Sequence, residues 1–221
     1  MSDNPSPSPQ NPHLIYFADP MCSWCWGFAP VVEAITARYP DLAIRLVLGG
    51  LRPFTDKPMD ASAKGDIRNH WEHVRDASGQ PFDFSFFERD GFVYDTEPAA
   101  RAVVTGRQLA PEKAIALEHG IARAFYAENR DVTDAETLAD LAAELGFDRK
   151  AFLAAFAKEE TRQETLGDFA LSQRAGVTGF PTLIAGPQAD GNYALVTAGY
   201  QPPEPILARI GSWLEQHKAV A

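Results

Sequence analysis

The sequence predicts an α/β fold carrying a large all-helical insertion, and three observations predict it. Two short apolar runs, Leu14–Ala18 and Ala43–Leu48, flank a stretch of helical periodicity, the pattern of a strand–helix–strand crossover with a parallel pair. Residues 61–160 then read as helix. From Thr161 the order is helix, strand, strand, helix. The division expected is a disordered tail over 1–12, one half of the α/β unit over 13–60, the insertion over 61–160 and the second half over 161–221.

Taken in order, residues 1–12 are rich in Pro and Ser and bury too little apolar surface to order themselves. Leu14–Ala18 is continuously apolar between Pro12 and Pro20, which suits a strand covered on both faces. Phe28, Val31, Val32 and Ile35 recur at helical spacing from Ser23 to about Tyr39. Pro30 removes a backbone donor there, so it either kinks the helix or marks a later start. Ala43–Leu48 is the second strand, stopped by Gly49-Gly50, and the turn Leu51-Arg52-Pro53-Phe54 is placed beside the first strand's carboxyl end.

In the insertion, Ile67, His70, Trp71 and Val74 share a helical face. The run of Phe82, Phe84, Phe86 and Phe87 reads as a loop that packs the insertion rather than a binding patch. Thr133-Asp134-Ala135-Glu136 matches a capping box, and Asp148 caps a further helix. Beyond it, a helix to Arg174 ends at Gly176. Pro181 stands where a strand tolerates proline, before Thr182-Leu183-Ile184. Tyr193–Thr197 is the antiparallel partner, and Pro202-Pro203-Glu204 opens the last helix.

The chemistry is expected at Cys22-Ser23-Trp24-Cys25, which holds both cysteines of the chain at a strand-to-helix junction. Such a pair reads as a dithiol redox site. With Cys25 in the first helical turn and Cys22 at its mouth, the sulfurs come within bonding distance and Cys22 is left exposed. Free N–H groups and the helix dipole then favour the Cys22 thiolate, the attacking form. A purely structural disulfide is unusual where the cytosol keeps thiols reduced, and a zinc site of cysteines alone needs four ligands. Two buried thiols acting only as apolar filler are the remaining bland alternative. His70 and His73 offer a helix two ligands at most, so no metal is expected.

Composition bounds the partners. Of 221 residues, 20 are basic and 30 acidic, a net charge of −10 that argues against nucleic acid and anionic membranes. The first residues hold neither a basic region nor an apolar core, which predicts a cytoplasmic protein.

Three segments carry a resemblance: Phe17-Ala18-Asp19-Pro20-Met21-Cys22-Ser23-Trp24-Cys25-Trp26-Gly27, Leu48-Gly49-Gly50-Leu51-Arg52 and Gly176-Val177-Thr178-Gly179-Phe180-Pro181-Thr182. Without the insertion, the order of elements is that of thioredoxin. With it, the chain resembles the DsbA-type thiol–disulfide oxidoreductases from Leu14 to Leu214, most of all their cytoplasmic, FrnE-like branch. The resemblance implies a thioredoxin-like fold and thiol–disulfide exchange on protein or small disulfides. It implies that Cys22 attacks, Cys25 resolves, and Pro181 follows a cis peptide bond facing both. Trp24, Phe180 and Gly179 are then the substrate-binding candidates, with Trp24 at the rim and Trp26 packed inside. No bound cofactor is implied, and glutathione or another thiol reductant is the expected electron partner. Where the periplasmic oxidant has a histidine between its cysteines, this chain has Ser23-Trp24, which predicts a more reducing dithiol. Phe180 is bulkier than the residue usual before that proline, and reads as an aromatic wall or a narrowing of access. Kappa-class glutathione transferases and 2-hydroxychromene-2-carboxylate isomerases share the architecture but use a serine nucleophile without a resolving cysteine. A non-enzymatic peptide-binding holdase is the third reading.

Overall fold

The structure, a computed structural model, describes residues 11–188 and 190–220, the last three for their backbone alone. Apart from Asn11 and Pro12, the tail expected over 1–12 lies outside the described residues.

The first strand, β1 (His13–Ala18), is buried along its whole length, as its unbroken apolarity requires. It leads through Asp19–Cys22 into α1 (Ser23–Arg38) and, past a turn, into β2 (Ala43–Leu48), which pairs parallel with β1 from His13↔Ala43 to Ala18↔Leu48. Helix α1 continues through Pro30, so the later start is excluded.

Helices α2 (Ala61–Ser78), α3 (Glu97–Leu109), α4 (Ala114–Tyr126), α5 (Ala135–Glu144) and α6 (Arg149–Phe156) follow. The aromatic run is not a plain loop: Phe84–Glu88 forms a 3-10 turn, seated on Asp83, whose carboxylate accepts from Ser85 N. Its rings gather round Trp71 of α2, with Phe86 stacked at 4.9 Å and Tyr126 edge-on at 4.9 Å. An aromatic side chain carries more apolar area than any other, so one enclosed Trp with such neighbours is a core in itself.

Helix α7 (Glu159–Arg174) returns the chain to the sheet, where β3 (Thr182–Gly186) and β4 (Ala194–Ala198) form an antiparallel pair, and α8 (Pro203–Val220) closes the fold. The sheet order is β2-β1-β3-β4, with β3 antiparallel to β1. Strand β3 outlasts its expected end and reaches Gly186. Leu14, Tyr16 and Ala18 face the large core shared with the helices, while Ile15 and Phe17 meet Val47, Leu171, Val177 and Phe180 on the other face. Both faces of the central strand are thereby covered, and its carboxyl end is delivered to a junction of three loops.

Candidate active site

Cys22 is the residue immediately before α1, with extended backbone, and its carbonyl accepts from Cys25 N at 3.0 Å and Trp26 N at 3.1 Å. Those bonds start the helix and bring Cys25 back beside Cys22, whose sulfur is one cause of the raised Cys25 thiol. Both thiols are free. The Phe180–Pro181 peptide bond is cis, and the Cys22 thiol donates to the Phe180 carbonyl with Sγ and O 3.6 Å apart. Cys22, Cys25 and the loop of Gly179, Phe180 and Pro181 thus meet at one point.

The expected exposure of Cys22 is corrected: the residue is only 6% exposed, and Cys25 is fully enclosed. The Phe180 carbonyl lies against the Cys22 sulfur. Cys22 still forms part of the wall of a pocket of about 420 Å³, with Trp24, Leu51, Arg52, His70, Gly179 and Phe180 among the other lining residues. Burial first, then the neighbouring Cys22 sulfur and the charge of Glu118, push the Cys25 thiol well above its ordinary value. Among the described residues the Ser23 hydroxyl makes no bond to Cys22, whose side chain bonds Phe180.

The candidate contact residues fall into place unequally. Trp24 is half-buried on the pocket wall, between Tyr200 at 5.5 Å and an edge-on His70 at 5.8 Å. Trp26 is buried, and its Nε1 donates to Pro81 O at 3.0 Å. Gly179 is exposed, and its carbonyl accepts from the Thr182 hydroxyl at 2.8 Å. Phe180 lies against Gly49 so closely that a Cβ there would sit 2.0 Å from its Cζ, which is why glycine stands after β2.

Sequence reasoning missed three contributors, Asp19, Tyr94 and His70, whereas Arg52 lies in the turn expected beside the first strand's carboxyl end and does line the pocket. Asp19 is fully buried, and its carboxylate accepts from Met21 N at 2.9 Å and Leu51 N at 2.8 Å, tying the cysteine loop to the loop after β2. Burial outweighs those donors and lifts it to about 6. Tyr94 donates to Met21 O at 2.9 Å, and Arg52 lies over its ring at 5.3 Å. His70 lines this pocket; burial, His73 and Arg52 hold its imidazole below the ordinary value. The one available signal was Asp19 itself, an acid at the end of an otherwise apolar strand.

The family model described as the DSBA-like thioredoxin domain matches residues 13–210. The chain belongs to that family.

The chain is also similar to solved structures of high coverage. A candidate protein disulfide isomerase from Nitrosomonas europaea is 39% identical, with TM-score 0.87 over 94% of this chain and 100% of that one. The cytosolic disulfide reductase DsbM from Pseudomonas aeruginosa is 29% identical, with TM-score 0.75 over 95% of this chain and 100% of that one. The structure of DsbM with GSH is 27% identical by superposition, with TM-score 0.75 over 92% of this chain and 99% of that one. Among curated sequences, the ClpXP adapter protein SpxH of Bacillus subtilis is 22% identical over 178 residues, 79% of this chain and 58% of that protein. SpxH of Halalkalibacterium halodurans is 22% identical over 157 residues, 68% of this chain and 51% of that protein. The chain thus spans about half the length of the curated relatives it matches. No helix among the described residues is long and apolar enough to cross a membrane.

Proposed function

We propose that this chain is a cytoplasmic protein-disulfide reductase that draws its electrons from glutathione or a similar thiol. The reading rests on one observation: the Cys22 thiol stands on the pocket wall, 3.6 Å from the carbonyl that precedes Pro181, with Cys25 enclosed behind it. The Cys22 thiolate attacks one sulfur of a substrate disulfide. The S–S bond breaks, a Cys22–substrate disulfide forms, and the departing thiolate takes a proton. Cys22 then carries no negative charge, so one cause of the raised Cys25 value is gone. Cys25 gives up its proton and attacks the Cys22 sulfur, the second substrate thiol leaves, and the Cys22–Cys25 disulfide holds the oxidising equivalents. Two glutathione thiols, oxidised to one disulfide, restore the pair. Backbone groups beside Pro181, with Trp24, Gly179 and Phe180, hold the extended substrate. The reductive direction is supported by Ser23-Trp24 between the cysteines and by the printed name of the Pseudomonas aeruginosa neighbour.

Equilibration of the two thiols with glutathione buffers tests direction and dithiol chemistry together. We expect a potential well below the roughly −120 mV of a strong oxidant, and a value at or above it would reverse the direction. Cys22→Ser is expected to abolish insulin reduction, and Cys25→Ser to accumulate a glutathione or substrate adduct on Cys22. Conjugation of an aromatic substrate to glutathione that survives Cys25→Ser would favour the kappa-class reading, and aggregation suppression untouched by Cys22→Ser would favour the holdase.

A further inference from the structure

Phe54 has a backbone that glycine or asparagine would fit better, and a side chain that the fold scarcely uses. Its φ is +64°, a region that bulky residues rarely enter. Its side chain is 51% exposed, and the Arg162 guanidinium lies 6.0 Å from its ring centre. The conformation is imposed by neighbours: Phe54 N donates to Asp95 Oδ1 at 2.8 Å, Arg52 N to Thr96 Oγ1 at 3.0 Å, and Thr55 Oγ1 to Arg52 O at 3.1 Å. A rigid turn therefore displays an aromatic ring to solvent, and backbone strain of this kind points towards function.

The same turn borders the dithiol. Leu51, itself 39% exposed, and Arg52 line the Cys22 pocket, and Phe54 follows three residues on, at most about 10 Å away along the chain. A disulfide that reaches Cys22 inside a pocket of about 420 Å³ brings two flanking stretches of polypeptide, and these must leave across its rim. A small disulfide brings none.

We propose that the Leu51–Thr55 turn is a docking lip for the polypeptide around a protein disulfide, with Phe54 as its anchor for an apolar side chain of that segment. The proposal rests on the protein-disulfide reading above and adds where the polypeptide around that disulfide is held. Exposed aromatic rings on rigid supports are favourable anchors, because little side-chain freedom is lost when they are covered.

Phe54→Gly tests it without threatening the fold, since glycine adopts this backbone freely. Reduction of insulin is compared with reduction of bis(2-hydroxyethyl) disulfide under the same glutathione-recycling conditions, alongside a melting curve. The expected result is a loss of about tenfold in kcat/KM on insulin, carried by KM, with the small disulfide unchanged and Tm unchanged or raised. Phe54→Tyr should retain insulin reduction. Insulin turnover unaffected by Phe54→Gly, or equal losses on both substrates, would overturn the lip. So would sedimentation showing that the variant splits a dimer, which would make a second copy the occupant. A wild-type protein that reduces neither disulfide brings down the exchange reading itself, an outcome distinct from these.

Discussion

Among the described residues no cation pairs with Glu118. It is fully buried on α4, and neither carboxyl oxygen has a hydrogen-bond partner among the described residues. Burial, reinforced by Asp19, lifts it to about 8, while burial holds the adjacent His119 down to about 4. The 3.5 Å approach of His119 Nε2 to Glu118 Oε2 therefore joins two neutral groups at pH 7 rather than an ion pair. The groups facing Glu118 across α1 and β1 are Cys25, Tyr16 and Asp19. A carboxyl raised on folding stabilises fully below its unfolded value and ceases to do so as pH rises through the folded one. His119 has the opposite sign below its unfolded value near 6.5. Between pH 6.5 and 8.5 Glu118 dominates: wild-type stability should fall on the order of a few kcal/mol with rising pH, and Glu118→Gln should flatten that slope in urea titrations. The sequence reading did not single out this position, although Glu118 stands between Ile115 and Ile121 on the same helix. Cys22, Cys25 and Pro181 were legible, since each lies in a local motif. His70 was not: it meets Trp24 only after α2 folds against α1.

Helix boundaries were readable to within a few residues, yet their chemistry was not always assigned to the right side chain. The capping box at Thr133–Glu136 does not form. Asp134 is the cap, accepting from Thr137 N at 2.8 Å, and the Thr133 hydroxyl donates instead to Asp131 at 2.6 Å. Two overlapping candidates stood side by side, and the carboxylate is at least as good an acceptor as the hydroxyl. Asp134→Ala should therefore cost about 1 kcal/mol and Thr133→Ala less, as read from chemical denaturation. Asp148 caps α6 as anticipated, with its carboxylate 2.7 Å from Ala151 N. The 3-10 turn at Phe84–Glu88 left no periodic trace, because its aromatic spacing fits neither a regular helix nor a strand. Its packing role was still visible in the density of rings, and Phe86 is 1% exposed beneath Trp71.

At the scale of the molecule, one arginine ties the insertion to the sheet. From α3, Arg107 donates to Leu46 O on β2 at 3.0 Å and to Asp168 on α7 at 2.8 Å, and reaches Glu164 at 2.8 Å. Asp168 also accepts from Leu48 N at 3.0 Å. This clamp covers the edge of β2 just ahead of Gly49, where Phe180 packs, so the helical block braces the loops around the dithiol. No sequence pattern announced it, since Arg107, the β2 strand and the two acids of α7 are far apart in the chain. The order of strands was readable because each apolar run was short and bounded by Pro or Gly. The enclosure of Cys25 depends on that whole assembly, and it supplies a ready gauge of intactness. A bulky polymer-linked maleimide should attach once to each native, reduced chain, at Cys22, and twice after denaturation. The appearance of the doubly tagged band on a gel would then count opened molecules with no assay of turnover, and single-tag resistance would persist only while the walls around Cys25 stand.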